Sequence, residues 1–506
     1  MNNIIYYSVV LCLVRLILSP VYAESNDFQY HPNKQDALII YDYEVITLPG
    51  DNEAIDLFGS HYLQRLNDWF YLGFGVHAPL FHGNYGGFMT LDATAHAQQK
   101  ISDDFYINLG VSFGGGGGGS SIEQSAELSG TGGFIKKYVG LGYEINEGIS
   151  VGVNYANMTF KDSLIHNSQV NFFVQTPVSY SVSAYSDTGK LRRPIKKSVR
   201  KDEMVFSFEF NNLFQINPQG TSKQTINNVS LQISHFIDDV HYLYLGAEVG
   251  YKGLALYNHF LHGIGRRTMV SERTALYSQF AIGSGGFSTD KVDTDAGLLI
   301  YPKISLEYLA SKDLGVSLST GYLVYPLGSS KNVTFGAGVN FYFSKKHFDK
   351  QLYSQSKYDG IRISLYNQVE TSVEVNRNKH HDIRLISFQL DKIIKPNWYF
   401  STQISLAYNK FVESPGYGEL FAGIGVQSQY AGSERFQNFF QLMVGTNHNG
   451  VLFKPMIGTN YTINDDYALF LQVGRTMSIH GLGLYQEDKN FNNYNVGLGL
   501  TYRFSL

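Results

Sequence analysis

Hydrophobic and polar positions alternate along this chain with a period of two, most plainly at its C-terminal end. From residue 493, one face reads Tyr494, Val496, Leu498, Leu500, Tyr502 and Phe504. The interleaved face reads Asn493, Asn495, Gly497, Gly499, Thr501 and Arg503. Such a pattern predicts a strand with one apolar face and one small or polar face. Similar runs recur from about residue 36 onward, and no amphipathic helical stretch lies between them to cover their apolar faces. In the last third of the chain, strands are expected near 360–375, 381–391, 398–409, 417–430, 435–447, 451–463, 467–478 and 493–504.

The pattern repeats three times. Ser271-Glu272-Arg273 returns as Ser433-Glu434-Arg435 and, in weaker form, as Ser102-Asp103-Asp104. Gly114, Gly283 and Gly445 follow at one fixed distance from the acid of each copy, and Tyr143, Tyr308 and Tyr461 form a second set of anchors. Gly263-Ile264-Gly265 matches Gly423-Ile424-Gly425, and the stretch 332–344 matches 493–505 in its glycines and apolar positions. In-register self-similarity marks repeated structural units. The units are placed at 36–186, 202–344 and 359–506, with a basic linker at 187–201 and a polar linker at 345–358. Each holds about eight strands, which makes about 24 in all, an even number within the range of membrane barrels.

The first residues carry a different pattern. A mostly apolar stretch at 4–18 followed by Val21-Tyr22-Ala23 reads as a signal peptide at 1–23, cleaved near Ala23, with a short segment at 24–35 before the first unit. The single cysteine, Cys12, falls inside that signal, so the mature chain is expected to have no disulfide and no thiol chemistry. Beyond Ala23 no apolar run approaches the length of a membrane helix. A membrane location must therefore use strands.

Composition supports lipid as the cover. Charged residues are 16% and aromatics 15%, with 37 Tyr, 35 Phe and 51 Gly, a balance that suits strands greasy outside and small or polar inside. The net charge of -4 does not call for nucleic acid. Short polar turns such as Asn146-Glu147-Gly148 and Asn464-Asp465-Asp466 alternate with longer loops, as in barrels with short inner turns and long outside loops.

The terminal strand, which alternates and closes on Phe504 ahead of Ser505 and Leu506, resembles the C-terminal strand of bacterial outer-membrane β-barrels. The resemblance implies an all-β, antiparallel transmembrane barrel in the outer membrane, in contact with its lipid. It also implies that the barrel assembly machinery reads Tyr494, Val496, Leu498, Leu500, Tyr502 and Phe504 as an assembly signal. Three small barrels in series and one 24-stranded ring both remain open. Long linkers and small inward residues favour the small barrels, whose interiors side chains just fill.

Candidate chemistry is sparse. The glycine run 114–119 lacks the lysine and following helix of a phosphate cradle and reads as a flexible loop. Asp290, Asp293 and Asp295 share an outside loop but lack the further ligands of a calcium cage. His380-His381-Asp382 places neighbouring histidines on opposite strand faces, which does not favour a metal. His166-Asn167-Ser168 sets a base near a hydroxyl without completing a hydrolase motif. No catalytic, cofactor or metal site is expected. The sharpest charge feature is Lys190, Arg192, Arg193, Lys196, Lys197, Arg200 and Lys201 around Pro194, on the inner side by strand parity. It could grip anionic headgroups or an envelope polymer or protein partner, or serve as a soluble spacer. The leading expectation is a non-enzymatic surface scaffold or export accessory. A large transport pore comes second and a barrel-embedded hydrolase third.

Overall fold

The computed structural model describes residues 33–505 except 118–131, 147, 162, 164, 190–202, 255–256, 288–290, 312–313, 343–358, 376–378, 396, 410–416, 429–434, 448–449 and 480–488. The expected signal peptide, Asp290 and the whole basic linker set from Lys190 to Lys201 lie outside the described residues. No described helix is long and apolar enough to cross a membrane.

Strands dominate. The first group is β1 (Asn33–Ile46), β2 (Ile55–Arg65), β3 (Phe70–Ala78), β4 (Met89–Lys100), β5 (Phe105–Gly117), β6 (Gly133–Asn146), β7 (Ile149–Phe160) and β8 (His166–Val182). The second is β9 (Glu203–Gln215), β10 (Ile226–Phe236), β11 (His241–Lys252), β12 (Asn258–Met269), β13 (Thr274–Gly286), β14 (Leu298–Leu309), β15 (Leu314–Val324) and β16 (Lys331–Tyr342). The third is β17 (Gly360–Val375), β18 (Lys379–Lys395), β19 (Trp398–Ala407), β20 (Gly418–Gln427), β21 (Phe436–Asn447), β22 (Gly450–Thr462), β23 (Tyr467–Ser478), the two-residue β24 (Lys489–Asn490) and β25 (Asn492–Ser505).

Each group closes on itself. β1–β8 and β9–β16 are closed antiparallel barrels, and in the third group β17 pairs with both β18 and β25. The decisive contact sets Ile363 opposite Tyr502 and Leu365 opposite Leu500. In the second barrel Phe206 faces Phe341 across β9 and β16. The 24-stranded ring would have joined β16 to β17; both strands instead satisfy their backbone inside their own barrel. Closure removes the unpaired edges that strands cannot leave in lipid.

The alternation read from β25 holds in three dimensions. Tyr494, Val496 and Leu498 are 67%, 43% and 59% exposed on the outer wall, while Asn493, Asn495 and Thr501 are buried in the lumen. Towards the turn end, where each barrel begins and finishes, the outer face changes its neighbour. Leu500 and Tyr502 are half-buried and Phe504 is buried. Tyr502 and Phe504 pack with Val182 of the first barrel, Phe206, Phe208 and Phe341 of the second, and Ile361 of the third. Six outward apolar residues in a row read as uniformly lipid-facing; here the lower ones cover other barrels.

The three barrels thus form a bundle. Phe341 and Phe400 stack with centroids 4.2 Å apart, and Phe74 meets Phe388 at 4.5 Å. His262 sits edge-on against Tyr41 and Phe58. A further apolar cluster joins Val76 and Leu91, Phe260, and Ile386, Leu365 and Leu406, one set from each barrel in turn. The glycine run explains another contact. Residues 114–117 extend β5 rather than forming loop, and a Cβ on Gly115 would lie 2.1 Å from the Ala407 carbonyl oxygen of β19. Glycine there lets two barrel walls touch backbone to backbone. Residues 118 and 119 of the run lie outside the described residues.

Candidate functional site

The interiors carry the chemistry. In each barrel a lysine on the sixth strand reaches the lumen and meets an acid from the first. Lys136 Nζ lies 2.9 Å from Glu44 Oε1 and bonds Asp42 Oδ2 at 2.5 Å. Lys303 Nζ donates to Glu209 Oε1 at 2.8 Å. Lys454 Nζ reaches Glu370 Oε1 at 3.1 Å and Glu419 Oε2 at 2.7 Å. Every one of these side chains is at most 8% exposed. A buried ammonium is tolerated only beside a compensating charge, so each pair staples two opposed walls.

The fourth strand repeats as well. His259 and Glu419 stand four residues before the matched Gly263 and Gly423, and both point into the lumen. In the second barrel His259 bridges Glu248 (Nδ1 to Oε2, 3.0 Å) and Tyr325 (Nε2 to Oη, 2.8 Å). Tyr301 bonds Asn211 and Thr334, while Tyr277, Tyr342 and Asn340 surround Glu307. In the third barrel Arg362 bonds Asp391, Gln427 and Gln437, and its guanidinium lies 4.5 Å from the centre of the Tyr399 ring. Hydrogen bonds that cross a lumen this often leave it filled.

A further element plugs the third barrel from below. The chain leaving β8 makes a short 3-10 turn at Tyr185–Asp187. Ser183 and Ser505 exchange backbone hydrogen bonds of 2.8 and 2.9 Å, and Thr188 Oγ1 lies 2.8 Å from Ser505 Oγ. These hold Tyr185 fully buried among Tyr366, Tyr399, Phe439 and Phe470 of the third barrel. The Arg503 guanidinium rests 5.1 Å from the centre of its ring. A residue from the segment after the first barrel therefore closes the turn end of the third.

The sequence-derived candidates do not converge. Asp293 accepts the Ser329 amide of the β15–β16 loop at 3.0 Å and so ties two loops together, while Asp295 takes the Ala296 amide within its own loop at 2.7 Å. The side chain of His380 lies outside the described residues. His381 and Asp382 are exposed, and Asp382 Oδ1 takes the Ser372 amide. His166 Nδ1 pairs with Thr159 Oγ1 at 3.0 Å, whereas the Ser168 hydroxyl accepts from Asn157. Sequence reading passed over Asp42, His61, His77, Asp92, Lys136, Lys303, Glu419 and Lys454. The one available signal was a polar side chain inside a strand; His77 and Glu419 stand one residue from a strand end, and His61 shares its face with Ile55, Leu57 and Leu63.

No protein-family model and no curated protein matches the chain. Among solved structures, a designed transmembrane β-barrel is 15% identical over 30% of this chain and 98% of its own, with a TM-score of 0.20. The siderophore receptor PirA from Acinetobacter baumannii is 8% identical over 94% of this chain and 81% of its own, with a TM-score of 0.29. OpdQ from Pseudomonas aeruginosa is 10% identical over 94% and 97%, with a TM-score of 0.23. These are outer-membrane-type barrels, and the likeness says nothing of what this chain binds.

Proposed function

We propose that this chain is a non-enzymatic scaffold of the bacterial outer membrane, exported behind a cleaved signal peptide and assembled by the barrel machinery. Its three barrels act as one covalent anchor, and the loops at their upper ends are the working surface, open to an envelope or surface polymer or protein. The observation that supports this most directly is the filling of the lumens: Lys136, Lys303 and Lys454 each tie opposed walls across a barrel centre. The apolar packing of Val76, Phe260 and Ile386 joins the three barrels at that level. The basic linker from Lys190 to Lys201 would then serve as an inner-side spacer or a hold on anionic headgroups.

Planar-bilayer recording of the purified full chain tests the reading. A scaffold adds no stepwise current. Regular conductance steps, abolished by loss of the protein, would place it among transport pores instead.

A further inference from the structure

The first lumen differs from the other two in a way that points to an ion. Four neighbouring strands bring Asp42 (β1), His61 (β2), His77 (β3) and Asp92 (β4) to one level. Asp42 stands opposite Gly59, which stands opposite His77; His61 stands opposite Gly75, which stands opposite Asp92. The two glycines make the room. A Cβ on Gly59 would fall 1.8 Å from Asp42 Oδ1, and one on Gly75 would fall 2.2 Å from His61 Nδ1.

Three donor atoms face one another. Asp42 Oδ1 lies 3.6 Å from His61 Nε2 and 3.9 Å from His77 Nε2, and all three fit within 4.8 Å. Asp42 Oδ1 is buried and accepts no hydrogen bond. Such spacings are too long for hydrogen bonds. They approach the separation of two ligands on a tetrahedral ion, roughly 3.3–3.6 Å for bonds of 2.0–2.2 Å. Behind His77, Asp92 Oδ2 lies 3.4 Å from Nδ1 and Thr90 Oγ1 lies 3.0 Å from it. A carboxylate behind a ligating imidazole fixes its tautomer and raises its basicity.

Charge points the same way. Asp42, Glu44 and Asp92 are three buried carboxylates facing one ammonium, Lys136, which leaves the cluster two positive charges short. Unbalanced charge in a dry interior is costly. In the second barrel His259, on the fourth strand where the first barrel has Asp92, is bonded on both ring nitrogens, so neither of them is free for an ion.

We propose that Asp42 Oδ1, His61 Nε2 and His77 Nε2 bind one divalent transition ion of the zinc class, with Asp92 as the orienting carboxylate of His77. The imidazole and carboxylate donor set suits zinc rather than calcium or magnesium. Lys136 keeps Asp42 Oδ2 and Glu44, and its 3.1 Å contact with His77 Nε2 is the one the ion replaces. The site is closed to solvent, so loading accompanies barrel closure. This inference is independent of the scaffold reading.

The full chain, unfolded in urea with chelator, is refolded into detergent with or without zinc sulfate, then desalted and assayed for metal. One zinc per chain, retained against chelator after folding, is expected. His61→Ala and His77→Ala should each lower retention by more than about ten-fold, while His259→Ala, in the second barrel, should not. Cobalt refolded into the wild-type chain should give the intense visible bands of a tetrahedral nitrogen–oxygen site, a reading that needs no variant to fold. Wild-type protein that folds by heat-modifiable migration yet holds no zinc overturns the proposal. So does zinc retention in both histidine variants equal to that of the wild type, or a cobalt spectrum identical to the free aqueous ion.

Discussion

The same strands present two walls that obey opposite rules. On the outer wall, Ile264, Leu318, Phe172 and Leu498 are 60%, 68%, 65% and 59% exposed and need only apolar surroundings. On the inner wall, Lys454, Gln368, Glu370 and Asn495 are buried and need named partners at hydrogen-bond distance. The outer rule tolerates any apolar side chain. The inner rule is particular, residue by residue, and each unmatched change should register.

The largest effect should come from removing an inner charge. Lys454→Met leaves Glu370 and Glu419 buried beside each other without a cation, a loss of about 3–5 kcal/mol. Urea titration of the folded fraction in detergent reads it, and a variant as stable as the parent would mean that the acids are not both charged.

Next comes a charge on the outer wall. Leu498→Arg places a cation on an exposed lipid-facing position and should cost about 2–4 kcal/mol at mid-membrane. Asn495→Arg is not the tolerant control that a hollow barrel would make it. Asn495 is fully buried and donates to Thr476 at 3.0 Å, so overpacking should cost about 1–3 kcal/mol. Folded yield of the two variants, measured side by side, separates a filled lumen from an empty one: full tolerance at Asn495 would contradict filling.

Smaller still is the pair Lys100–Glu144 at 2.7 Å, with Lys100 largely exposed at the turn end. Glu144→Gln should leave the urea midpoint nearly unchanged, since exposed pairs are screened. The least effect belongs to the turn between β10 and β11. The His241 amide, and then its imidazole and the Val240 amide, hold the Asp238 carboxyl well below the usual carboxylate range. A depressed carboxylate contributes stability that is complete above its unfolded pKa, about 3.9. That contribution is lost as pH falls from there towards the folded value. The advantage of wild type over Asp238→Asn should therefore be full at neutral pH and shrink in strong acid, and a gap that widens on acidification would contradict the assignment.

Much of this was legible before the structure. The alternation in β25 gave its two walls, and the matched anchors Tyr143, Tyr308 and Tyr461 gave three units of eight strands. Separate closure was favoured by linker length and is decided by the pairing of Ile363 with Tyr502. The lumen network was not legible, because a single lysine such as Lys136 in a strand has no sequence neighbour for a partner; Asp42 and Glu44 stand opposite it only once the barrel closes. His61 and His77 meet through strand register, and no spacing rule along the chain encodes that. Nor could alternation tell Leu498, which faces outward uncovered, from Phe504, which covers the second barrel, since both faces are equally apolar. Tyr185 sat in an unpatterned stretch after β8, and its place beneath a barrel almost two hundred residues further on follows from the bundle alone.

Separate closure of the barrels is the claim on which the filled lumens and the scaffold reading both depend. With Cys12 in the expected signal, the mature chain offers a background free of thiols for cysteine pairs. Disulfides need Cα atoms within about 7 Å. Leu365→Cys with Leu500→Cys, on neighbouring strands of the third barrel, should cross-link efficiently in isolated membranes, while Leu365→Cys with Val339→Cys, the β16 residue matched to Leu500 and so the partner required by a single ring, should not. Efficient cross-linking of the second pair with none in the first would contradict three closed barrels and the account built on them.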